Sequence, residues 1–116
     1  MKIIALLMLS IPILHSNIIT KTFTGSEYLK IITEGSYEVI KAKGSRIIVE
    51  THYENNGPTR LQKYIASRYS IESFVENGIT TIKILKPKTK IILDSKEIIE
   101  NINSKIYVPE NTIIVN

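Results

Sequence analysis

The dipeptide Asn77-Gly78 divides a stretch, Ser70–Leu85, that is otherwise rich in β-branched and aromatic residues. Both residues accept positive φ, so a two-residue type I′ turn is expected there, and such a turn fixes the register of the strands on either side. Glu76 then pairs with Ile79. Counting outward sets Ile71, Ser73 and Val75 opposite Ile84, Ile82 and Thr80, while Glu72 falls opposite Lys83 on the other face. One face is mostly apolar and the other carries an expected ion pair. A slip of one residue would exchange the two faces, so turn chemistry and hydrophobic pattern specify the same hairpin.

Similar punctuation runs through the chain. Ile occurs 24 times in 116 residues, beside many Thr, Val and Tyr, and this composition favours pleated surfaces over helices. Turn signals at Glu34-Gly35 and Gly44-Ser45 separate Tyr28–Thr33, Ser36–Lys43 and Arg46–Tyr53. The expectation is an antiparallel meander in which Leu29 with Ile31, Ile40 with Ala42, and Ile47 with Val49 share a buried face. Between Tyr53 and Ser70 the period changes. Asn55-Asn56-Gly57-Pro58-Thr59 reads as a turn into a helix, and Leu61, Tyr64, Ile65 and Tyr69 fall on one stripe. One short amphipathic helix is expected across the apolar face of the sheet, with the Tyr64 and Tyr69 rings buried and their hydroxyls at the rim.

The stretch Asp94–Asn103 carries two patterns. Asp94 and Glu97 have the spacing of a capping box, whereas Ile98, Ile102, Ile106 and Val108 keep an even, strand-like spacing that favours a strand in the second half. Ser104–Val108 and Thr112–Val115 read as extended segments around Pro109-Glu110-Asn111. The expected fold class is mainly β, of the α+β kind: antiparallel strands with one short amphipathic helix.

Residues 1–16 have the order of a secretory signal: Met1-Lys2, an apolar run from Ile3 to Leu14, then Ser16. The run spans 12 positions, and a bilayer-spanning helix needs about 20, so no stable membrane span is expected once the signal is removed. Cleavage after Ser16 leaves residues 17–116 as a single β-rich domain in the periplasm, at the cell surface or in the medium. A domain of that size can bury one core unaided. Leu14 is large for its place three residues before this cut.

Composition closes off several chemistries. With no Cys there is no thiolate nucleophile, no Cys-ligated zinc and no lipid-modified cysteine at the export signal. Removing Lys2 with the signal leaves 14 basic and 11 acidic side chains, a net charge of +3. That excess is too small to indicate nucleic acid, whose binders gather basic residues among aromatics; Lys86-Pro87-Lys88-Thr89-Lys90 reads as a solvated loop. After export one histidine, His52, and one aspartate, Asp94, remain, too few for a Ser-His-Asp set. No Gly-rich phosphate loop or Gly-x-Ser-x-Gly elbow is present. The expectation is a protein that is not an enzyme and needs no cofactor.

Two local groupings stand out. Glu50, His52 and Glu54 share one side of a strand at period two, where two carboxylates and an imidazole could in principle meet a metal; the preferred reading is a solvent-facing polar edge with His52 paired to a neighbouring acid, because structural metal sites need more ligands. Tyr64 and Tyr69 could grip a small apolar or aromatic ligand between helix and sheet, as a soluble periplasmic binding module would. The six tyrosines Tyr28, Tyr37, Tyr53, Tyr64, Tyr69 and Tyr107 also suit cross-strand packing.

The order of these elements, ending in Lys105-Ile106-Tyr107-Val108-Pro109-Glu110-Asn111-Thr112, resembles the N-terminal section of the adhesin-like, auto-transporter-adhesin-head-like β-helical domain family of bacterial envelope proteins. The resemblance covers most of residues 23 to 116. It implies the opening section of a β-helix, with Ile-Tyr-Val-Pro marking a strand edge and no catalytic residue to carry over. This chain stops at Asn116, about where the repeated turns of that family would begin. The function expected is an exported structural or interaction domain of the cell envelope. Stacked β turns need a neighbour to cover the last ladder, so an exposed sheet edge is expected to take a protein partner or to self-associate.

Overall fold

A computed structural model describes residues 14–116; residues 1–13 of the signal segment lie outside the described residues. The hairpin about Asn77-Gly78 forms in the expected register, from Glu76 opposite Ile79 to Ile71 opposite Ile84. Asn77 and Gly78 have φ of 54° and 76°, as a type I′ turn requires. Its strands are Ser70–Glu76 and Ile79–Leu85. Glu72 and Lys83 do stand opposite each other, but they form no ion pair. The Lys83 ammonium lies 5.4 Å from the centre of the Phe74 ring, and Glu72 accepts a hydrogen bond from the Ser70 hydroxyl at 3.0 Å.

In chain order the strands are β1 His15–Thr24, β2 Tyr28–Thr33, β3 Ser36–Ala42, β4 Arg46–Asn55, β5 Ser70–Glu76, β6 Ile79–Leu85, β7 Ile92–Leu93, β8 Lys96–Glu97, β9 Glu100–Pro109 and β10 Ile113–Val115. One helix, α1 Gln62–Ser67, follows a 3₁₀ turn at Thr59–Leu61. Among the described residues the protein is mainly β, with one short helix. The strands form two four-stranded sheets, ordered β1-β4-β9-β3 and β10-β2-β6-β5, and a small β7-β8 ribbon. Leu29, Ile71, Ile82 and Ile84 from one sheet meet Ile47, Val49, Ile102, Ile106 and Val108 from the other in a single core.

The expected meander does not form. β2 pairs parallel with β6, β3 pairs parallel with β9, and β4 pairs antiparallel with both β1 and β9. Gly35, at φ +83°, turns the chain from one sheet into the other instead of back on itself. Its missing side chain matters: a Cβ there would come within 2.4 Å of the Ile102 carbonyl oxygen. The parallel register also reverses the faces of β3. Tyr37, Val39 and Lys41 lie beside buried Ser104, Ile106 and Val108, so these odd-numbered residues face the core side, and Ile40 and Ala42 face outward.

Elsewhere the expected pattern holds in part. Leu29, Ile47 and Val49 are buried, as are Ile98, Ile102, Ile106 and Val108, the even-numbered set of the C-terminal half. Asp94 and Ser95, at φ 52° and 63°, make the β7–β8 turn, so the Asp94–Glu97 spacing caps no helix. β1 was not legible as a strand, and it carries His15 and Ser16, two residues of the proposed signal, into rungs opposite Asn55 and Glu54.

Helix α1 does not cross the core face. Its one buried residue, Ile65, lies outside the central core and beside Gly57 and Ile98: a Cβ on Gly57 would be 2.8 Å from Ile65 Cδ1 and 3.3 Å from Ile98 Cδ1. Asn55 and Gln62 exchange amide hydrogen bonds of 2.9 and 2.8 Å, which ties the end of β4 to the start of the helix. Six residues are too few for a helix to persist alone, so this pair and the burial of Ile65 hold it.

Candidate interaction surface

Each end of the two-sheet stack has a pair of edge strands, and the two ends differ. At one end β1 and β5 are the edges. Lys21, on the core-facing side of β1, reaches across and donates from Nζ to the Ile71 carbonyl at 3.2 Å. An inward lysine on an edge strand blocks further pairing, and here it also occupies a carbonyl of the neighbouring edge. Ile19 and Phe23, the other large core-side residues of β1, pack against the core.

At the other end the edges are β3 and β10. β10 covers only Tyr28–Lys30 of β2, and among the described residues Ile31–Thr33 have no neighbour on that side. The core-facing residues are correspondingly open: Tyr37 is 48% exposed and Ile114, which lies beside fully buried Leu29, is 40% exposed. Val39 packs on the core but is only partly covered. Ile32 and Ile113, on the outer face of the same sheet, are exposed as well. The chain turns between sheets twice near this end, through Gly35 from β2 into β3 and through Pro109–Thr112 from β9 into β10. The second turn is closed by a Thr112 N–H to Pro109 carbonyl bond of 3.1 Å. Lys41 is exposed on the core side of β3 and Glu38 on its outer side.

Glu50, His52 and Glu54 do lie on one face of β4, the outer face of its sheet. His52 Nε2 and Glu50 Oε1 are 2.8 Å apart. Glu54 does not complete a triad: among the described residues no group of three His, Asp or Glu side chains is close enough to hold a metal ion.

Tyr64 and Tyr69 go separate ways. Tyr64 is 58% exposed, with the Arg68 guanidinium 5.9 Å from its ring centre. Tyr69 stacks on Tyr53 with ring centres 5.0 Å apart and donates from its hydroxyl to Glu100 Oε1 at 3.0 Å. Burial, then the charge of Glu100 and its hydrogen bond, push the Tyr69 phenol upward, and burial does the same to Tyr53. Arg68 donates to Glu100 at 3.2 Å and to the Thr89 carbonyl, fastening the Lys86–Lys90 loop. Two clefts, of about 290 and 260 Å³, are lined by other residues, so Tyr64 and Tyr69 do not form the walls of either. The Arg68–Glu100–Tyr69 grouping escaped the sequence reading because its members lie 31 and 32 positions apart in no motif.

Among the described residues no helix is long and apolar enough to cross a membrane. No protein-family model matches the chain, and no curated protein does. A solved structure from Clostridium sporogenes ATCC 15579, described as a candidate cell adhesion protein, aligns with a TM-score of 0.47 at 9% identity over 86% of this chain. The chain spans 45% of that protein's length.

Proposed function

We propose that this chain is an exported, non-enzymatic interaction domain of the bacterial cell envelope, and that it works through the open β3/β10 end. The observation that carries the reading is the exposure of core-facing Tyr37 and Ile114 at that end, beside two strand edges that pair with no further strand among the described residues. Such edges take strands from partners. The signal-like start, the parallel stacking of β3 on β9 and of β10 on β2, and the resemblance to the opening of an envelope β-helix support the same reading.

Fractionation of bacteria expressing the tagged protein tests it. The protein is expected outside the cytoplasm and retained with the envelope, and Ile114→Asp, folded by circular dichroism, is expected in the soluble fraction. Retention in the cytoplasm would rule out the exported role. Equal envelope retention of the variant would rule out the open end as the surface used.

A further inference from the structure

We propose that the open end is completed by a second copy of this chain, with β3 of one copy adding antiparallel to β3 of the other about Val39. This rests on the reading of that end as an interaction surface. The pairing is isologous, so it closes on a two-fold axis and makes a dimer rather than a filament.

The register follows from three constraints. A two-fold axis perpendicular to the sheet keeps the core sides of both copies on one side only if paired residues are both odd or both even. Only then do Tyr37 and Val39 of the two copies join one continuous apolar layer. Like charges directly opposite each other destabilise a strand pair, which removes the registers centred on Glu38 and on Lys41. Centring on Ile40 runs Ser36 and Tyr37 past the end of the partner's β3 and sets Lys41 against Val39. Centring on Val39 pairs all seven residues of β3. Val39 then meets its own copy, Glu38 meets Ile40, and Tyr37 meets Lys41.

The last pair accounts for a feature that otherwise counts against pairing. An inward lysine on an edge strand discourages addition, and at the far end Lys21 acts that way. Lys41 has no ion-pair partner among the described residues. In the dimer its ammonium lies by the exposed ring of Tyr37 from the other copy, a favourable cation–aromatic contact.

The chain has no Cys, so single-cysteine variants of the whole protein report the register directly. Under mild oxidation Val39→Cys, on the axis, is expected to form a disulfide dimer about tenfold faster than Thr20→Cys on β1, because only the on-axis pair brings its Cβ atoms within bridging distance. Light scattering of the unsubstituted protein should show its mass rising from monomer to dimer with concentration. A monomer at every concentration would overturn the proposal, whatever the variants do. Faster bridging by Ile40→Cys than by Val39→Cys would overturn the register. Neither result touches envelope retention, which decides the interaction reading separately.

Discussion

Arg68 Nη1 donates to Glu100 Oε1 at 3.2 Å, and only 9% of either side chain is exposed. The pair joins the segment leaving α1 to the first residue of β9. The same carboxylate accepts the Tyr69 hydroxyl, so one acid holds two successive residues.

Removing one member of a buried ion pair strands the other. Glu100→Ala is expected to cost about 3 kcal/mol, and Arg68→Met combined with Glu100→Leu much less than the two single changes together. Urea denaturation of Glu100→Ala, of the double variant and of its two single changes checks this. Additive losses would mean that the pair is solvated and its members independent.

Thr51 and Ser104 face each other between β4 and β9, both buried, with their hydroxyl oxygens 3.0 Å apart. Thr51→Val leaves the Ser104 hydroxyl without that partner and is expected to cost about 1–2 kcal/mol. Adding Ser104→Ala should recover part of the loss. A double-mutant cycle is the measurement, and a coupling energy near zero would show that the two hydroxyls do not depend on each other.

Tyr69 and Tyr53 keep their protons more tightly in the fold than the ordinary value of 10.0. Above pH about 10 the unfolded chain releases these protons while the folded chain retains them, so the unfolded state gains and stability falls. Below that pH the contribution is fully present. The urea midpoint should therefore drop between pH 8 and pH 11, and Tyr69→Phe should drop less over that interval. A variant with an unchanged alkaline slope would exclude Tyr69 as a source.

Gly35 and Gly78 both have positive φ, but only Gly35 is crowded. A Cβ at Gly78 meets nothing within 4 Å, whereas one at Gly35 meets both the backbone and the side chain of Ile102. Gly78→Ala should cost about 1 kcal/mol from backbone strain alone, and Gly35→Ala clearly more. Comparable thermal midpoints for the two variants would contradict the close packing of the β2–β3 turn on β9.

The Asn77-Gly78 hairpin was legible because its information is local: the turn sets the register and the pattern agrees with it over seven rungs. The shared face of Ile102, Ile106 and Val108 in β9 was legible for the same kind of reason, since alternation tells which residues of a strand share a face. Alternation does not tell which strand lies alongside. β3 lies beside β9, more than 60 positions away, and parallel partners cannot be joined by a tight turn that would announce them. That choice decided that Val39 and not Ile40 faces the core, that β1 guards one end, and that Tyr37 and Ile114 are left open at the other. Local pattern was enough to specify a β-rich chain, one firm hairpin and a short helix; the strand partners were set only in the assembled fold, because pairing at long range is selected by how two apolar faces can be buried together.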